Sequence, residues 1–146
     1  MIVRSVCVAM SLVLMSGCIS FAPKYNDTIY QKLGAVNSEL TKIETVIEAR
    51  APRKARYSEV EGYYIAALSS VKEAQDLADR RPAYLGNQPA SQAAQLSADN
   101  IRACREEIES SRAGFEGDGQ GGDELGDLAV LRNICAIPKT MEGLLK

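Results

Sequence analysis

The sequence predicts an all-α protein, an up-down-up-down four-helix bundle behind a short N-terminal apolar segment. Three observations carry that prediction. Apolar residues recur in steps of three and four through four successive stretches, the spacing of one buried face on an α-helix. The stretches are similar in length and joined by short segments rich in Pro, Gly and charge, which makes sequence neighbours antiparallel. Two cysteines, Cys104 and Cys135, fall at matching heights on the third and fourth stretches.

Residues 1–17 read as an export signal that is removed. Arg4 supplies one positive charge, and Ser5 to Met15 follows as an apolar run of about 11 residues, the length of a signal core and too short to span a bilayer. The small residues Ser16 and Gly17 stand directly before Cys18. Leu14-Met15-Ser16-Gly17-Cys18 resembles the lipobox of bacterial lipoproteins, in which a dedicated peptidase cuts before a cysteine already bearing diacylglycerol. Met15 replaces the Leu usual at its position but is likewise apolar and unbranched. A conventional signal peptide would need small residues at both −1 and −3, and Met15 is large. Cys18 is therefore the expected lipidation site, with residues 18–25 as lipidated cysteine and tether and 26–146 as the helical bundle. The seven residues Cys18 to Lys24 reach at most about 25 Å, so the folded part must sit close to its membrane.

The first helix is expected over about 26–49. Ile29, Leu33, Val36, Leu40, Ile43 and Ile47 form a seam of coiled-coil spacing, Asn26 or Asp27 can cap its start, and Pro52 closes it. Arg50, Arg53, Lys54 and Arg56 crowd the connection, where they complement the helix C-terminus in a solvated turn. Ser58-Glu59-Val60-Glu61 reads as a capping box for a second helix over 57–79, whose stripe is Tyr57, Val60, Tyr64, Ala67, Val71, Ala74 and Ala78. Arg80-Arg81-Pro82 ends it, and Leu85 to Pro89 is a turn. The third helix, 90–113, has a thin early face of Ala90, Ala93, Ala94 and Leu96 and a better half in Ile101, Cys104 and Ile108, with Gly114 as its stop. Gly114 to Gly122 is a flexible acidic loop. The fourth helix, 123–145, carries Leu125, Leu128, Leu131 and Cys135, is kinked or interrupted at Pro138, and ends on Met141, Leu144 and Leu145.

Composition excludes several kinds of chemistry. Removal of residues 1–17 leaves 146 − 17 = 129 residues and takes away one of 17 basic groups, so the charge becomes 16 − 19 = −3. That weak acidic bias argues against nucleic acid as a partner. The chain has no His, which removes the commonest general base and the usual transition-metal ligand. No metal site, cofactor or catalytic residue is expected. Asp118 to Gly126 resembles a single calcium-binding nonapeptide repeat of the β-roll type, but such repeats share each ion between stacked copies and here there is one.

Cys104 and Cys135 are the two cysteines left beyond Cys7 and Cys18, and in an oxidising compartment they are expected to form one disulfide. Cys104 lies nine residues or so before the Gly-rich loop and Cys135 a dozen after it. In an antiparallel hairpin those rises, ~14 Å and ~18 Å, bring the sulfurs to nearly one level. The same topology sends the basic turn ~35 Å from the tether and brings Glu116 and Asp118 to face Arg50 to Arg56.

From Cys18 to about Ala113 the chain resembles small helical lipoproteins of proteobacteria, in which a tyrosine–acid start such as Tyr25-Asn26-Asp27 soon follows the lipidated cysteine. The resemblance implies a helical bundle with no known catalytic residues to carry over. Attachment through Cys18 is expected on the periplasmic face of the outer membrane. Ile19 and Ser20 lack the Asp that resembles an inner-membrane retention signal. The function expected is a structural or protein-interaction module without catalysis, meeting another envelope protein. The alternative is an accessory lipoprotein of a secretion, conjugation or phage-encoded system, pilotin-like or exclusion-like.

Overall fold

The computed structural model describes residues 23–87, 89–118 and 124–145. The expected signal peptide and Cys18 lie outside the described residues. So do residues 119–122 of the Gly-rich loop and residue 123, the expected start of the fourth helix. Four long helices and one short one make up the described chain, with no strand among them.

Helix α1, Asp27–Arg50, starts where Asn26 accepts a hydrogen bond from the Ile29 amide at 3.1 Å, the expected N-cap. Its buried residues are the six of the predicted seam. Helix α2, Tyr57–Ala78, buries Val60, Tyr64, Ala67, Val71, Ala74 and Ala78 as predicted, together with Gln75. Its cap lies two residues earlier than the expected capping box. Arg56 is the N-cap, and its amide donates to Glu59 Oε2 at 2.8 Å while the Glu59 amide donates to the Arg56 carbonyl at 2.9 Å. Because the helix already begins at Tyr57, Glu59 rather than Glu61 sits at the third helical position, from which a carboxylate reaches back to the cap.

Three differences from the predicted boundaries follow from tertiary packing. Arg81–Leu85 forms a short helix, α3, where a turn is expected; Pro82 occupies its first turn, where a missing amide costs nothing, and Gly86, with φ of 56°, ends it. Helix α4, Ala90–Asp118, runs through Gly114 instead of stopping there. Phe115 explains this: it is buried, with its ring 6.1 Å from those of Tyr57 and Tyr64. Burying a Phe is worth about 1.5–3 kcal/mol, more than the roughly 1 kcal/mol that a helical Gly costs. Helix α5, Glu124–Gly143, passes through Pro138, which is buried on the same stripe as Leu128, Leu131 and Cys135, and is not interrupted there.

The α4 face also differs in detail. Leu96 is 56% exposed, and the core positions are Ala90, Ala94, Ala98, Ile101, Cys104 and Ile108. Small residues at the start of α4 let it approach its neighbours closely at the expense of buried area. Each long helix touches two others, in the ring α1–α2–α4–α5 and back to α1, with α3 lying mainly against α4. That is the up-down-up-down four-helix bundle.

The bundle has two different ends. The distal one holds the α1–α2 turn and the C-terminus of α4. There the Tyr64 hydroxyl lies 2.9 Å from Ser111 Oγ, and Arg112 Nε donates to the Tyr57 hydroxyl at 2.7 Å. Arg50, expected to face Glu116 and Asp118, forms its ion pair with Glu59 instead. The other end holds residues 23–26, α3 and the C-terminus of α5.

The Arg56 amide donating to Glu59, aided by the charges of Arg50 and Arg56 and opposed by slight burial, holds that carboxyl below its ordinary value of 4.5. A carboxyl lowered on folding stabilises the fold above its unfolded value, and that contribution is lost as pH falls through the folded one. Wild type should therefore lose melting temperature more steeply than Glu59→Gln as the pH is taken down from about 4.5. Thermal melts followed by circular dichroism check this, and parallel curves would remove the cap from the acid response.

Candidate functional site

Of the residues singled out in the sequence, Cys104 and Cys135 are brought together and Cys18 lies outside the described residues. The cysteines are fully buried on α4 and α5 and joined by a disulfide, with Cα atoms 4.8 Å apart. The antiparallel register places them face to face. No group of three or more His, Cys, Asp or Glu side chains is placed to hold a metal among the described residues. Residues 114–118 of the acidic loop are helical.

The strongest polar feature is one that the sequence reading missed. The buried stripe of α5 continues from Cys135 through Pro138 in steps of three and four, and its next position is Glu142. A carboxylate thus stands where an apolar residue would, with none of its surface exposed. Arg81, the first residue of α3, is 11% exposed in its side chain and meets that carboxylate with both arms of its guanidinium: Nη1 to Oε2 at 2.8 Å and Nη2 to Oε1 at 2.6 Å. The Asn26 amide donates to Glu142 Oε1 at 2.5 Å, and Arg81 Nη2 also donates to the Lys24 carbonyl at 3.1 Å. One ion pair therefore ties the entering chain, α3 and the last turn of α5. Gly143 lets α5 close on α1, because a Cβ there would stand 3.2 Å from Tyr30 Cε2. The pair is closed to any ligand by its own burial, and its chemistry is that of a clamp.

Two open grooves lie elsewhere. One, of about 190 Å³, runs between α2 and α4 near the distal end and is lined by Leu68, Glu109, Arg112, Ala113 and Glu116. A larger one, of about 450 Å³, lies between α1 and α5 and includes Tyr30, Asn37, Lys139 and Leu144. Lys139 Nζ stands 5.4 Å from the centre of the Tyr30 ring and forms part of that floor. Val130 and Ile137 on α5 and Leu144 just beyond its end are spaced by seven residues and exposed, a second apolar line on the outer side.

Loss of one partner from the buried pair should be costly. Glu142→Gln or Arg81→Met alone should lower the unfolding free energy by about 3–5 kcal/mol, whereas Arg81→Met with Glu142→Leu should restore much of it. Urea denaturation decides, and single losses below about 1 kcal/mol would class the pair with surface ion pairs.

The disulfide closes a loop of 31 residues, worth roughly 3.5–4 kcal/mol of unfolded-state entropy. Reduction should raise amide exchange first in residues 90–137 and only later in α1 and α2, whose stripes carry the larger side chains. Uniform loss of protection across all four long helices would refute that order. Comparison with protein-family models, with curated proteins and with solved structures finds no match to this chain.

Proposed function

We propose that the chain is a lipoprotein, anchored through Cys18 to the periplasmic face of the outer membrane and serving as a structural or protein-interaction module without catalysis. The observation that carries this reading is Leu14-Met15-Ser16-Gly17-Cys18 at the end of a short apolar run. Two further features support it. The Cys104–Cys135 bridge suits an oxidising compartment such as the periplasm. The described grooves and exposed apolar side chains offer contact surface, in keeping with a part that binds.

Metabolic labelling with a clickable palmitate tests the anchor. Wild type should take the label and sediment with outer-membrane density on a sucrose gradient, and Cys18→Ala should take none. A Cys18→Ala form as heavily labelled as wild type would overturn the lipid assignment. Inner-membrane density would overturn the location, and crosslinked pull-down from envelopes would name the partner.

A further inference from the structure

We infer that the end of the bundle from which the tether leaves is a lipid-contact surface, on which Tyr84 and Leu144 enter the membrane interface while Lys24 and Arg80 meet anionic headgroups. The inference rests on the lipid-anchor reading of Cys18 and adds an orientation to it.

Exposure picks out this end first. Six large hydrophobic side chains are exposed among the described residues, four of them between 49% and 58%. The two that stand out, Tyr84 at 82% and Leu144 at 81%, both belong to the tethered end, on α3 and just beyond α5. Each lies close in sequence to a member of the buried clamp: Tyr84 is three residues after Arg81, and Leu144 two after Glu142. Their backbones are therefore held, and the apolar groups project from a fixed platform. A tyrosine with an apolar ring and a polar tip is suited to the boundary between headgroups and acyl chains.

Charge points the same way. The chain as a whole is net negative, yet the acidic groups of this end are engaged within the protein. Glu142 is taken by Arg81, Asp79 by Arg102, and Asp27 accepts from Tyr25 and Gln31. Lys24 and Arg80 are exposed and make no ion pair among the described residues. Lys24 and Arg80 are thus the cations of this end left to meet an anionic leaflet, beside the carboxylate of Asp27, whose donors are neutral, and an Arg102 shared between Asp79 and Asp99.

The tether gives the geometry. Five residues, Cys18 to Ala22, precede the buried Pro23, and they span at most about 18 Å. The Lys24 carbonyl is then fixed by Arg81. The point of attachment is thus on the same end as Tyr84, Leu144, Lys24 and Arg80, and within reach of the surface they would touch.

The chain has no tryptophan, so single indoles report cleanly. The chain from Cys18 onward has one thiol outside the disulfide, and Cys18 can be coupled to a maleimide lipid in vesicles of phosphatidylcholine, phosphatidylglycerol and a brominated phosphatidylcholine. This coupling works whether or not cells acylate Cys18, so failure of the anchor reading and failure of the seat are separate results. The Tyr84→Trp and Leu144→Trp variants should show blue-shifted emission and several-fold stronger bromine quenching than Val130→Trp. Replacing both Lys24 and Arg80 by Gln should weaken that quenching, and the difference should vanish on vesicles without phosphatidylglycerol. Equal quenching at all three positions, or none, would overturn the inference. So would a blue shift that appears without vesicles and grows with protein concentration, which would assign the patch to a second copy of the chain.

Discussion

A fully buried carboxylate is the constraint around which one end of this bundle is arranged. Taking Glu142 out of water costs several kcal/mol unless donors replace the lost hydration. Arg81 and the Asn26 amide supply three. Each of those donors must then stand at a fixed place. Arg81 fixes the start of α3, a five-residue helix too short to persist on its own. Asn26 is at once the N-cap of α1 and a ligand of Glu142, so the start of the first helix and the end of the last are set by the same contact. Continuation of α5 past Pro138 belongs to the same arrangement, because the helix must reach Glu142 for the clamp to close.

The opposite end is held by different means. Tyr57, Tyr64 and Phe115 gather at the distal end, with hydroxyls satisfied by Ser111 and Arg112. Burial pushes the Tyr64 phenol up, with the Ser111 bond partly offsetting it, so it stays neutral at physiological pH. Between the two ends, α1 contributes Ile, Leu and Val while α4 contributes mostly Ala to its first turns. Buried area scales with side-chain size, so the α4–α5 half gains less from the hydrophobic effect. The disulfide sits in that half, where a covalent link compensates for the thinner face.

The stripes of α1 and α2 were legible in the sequence because one physical rule, burial of one face at helical spacing, decides them residue by residue. The cysteine pairing was legible for a related reason, since helical rise and antiparallel order fix heights. Where the reading failed, a contact distant in sequence outweighed a local signal. Gly114 is a sound local stop that Phe115 overrides by packing on α2. Leu96 is apolar yet lies off the core face that Ala94 and Ala98 define. Glu142 carried a signal that periodicity alone could have found: counted on from Cys135 and Pro138, it falls on the core. Arg81 offered none, because an arginine beside a proline at a helix end looks like any solvated turn.

A lipid anchor by itself leaves a domain free to tumble above its membrane. If Cys18 carries that anchor, the clamp removes much of this freedom, because it grips the chain at Lys24, six residues after Cys18, and ties it to three helices. On the anchored reading, the direction of the bundle axis is then set by the end that carries Lys24, Tyr84, Arg80 and Leu144. Helix α1 is 24 residues long, so the distal aromatic end would stand about 36 Å away along that axis. The outer side of α5 would run along the whole height, with Val130 and Ile137 clear of the headgroups. A partner in the envelope would thus meet a fixed, upright surface. On that reading, a buried ion pair that apolar side chains could replace has a reason to exist: it would specify where the chain enters and which end faces the membrane.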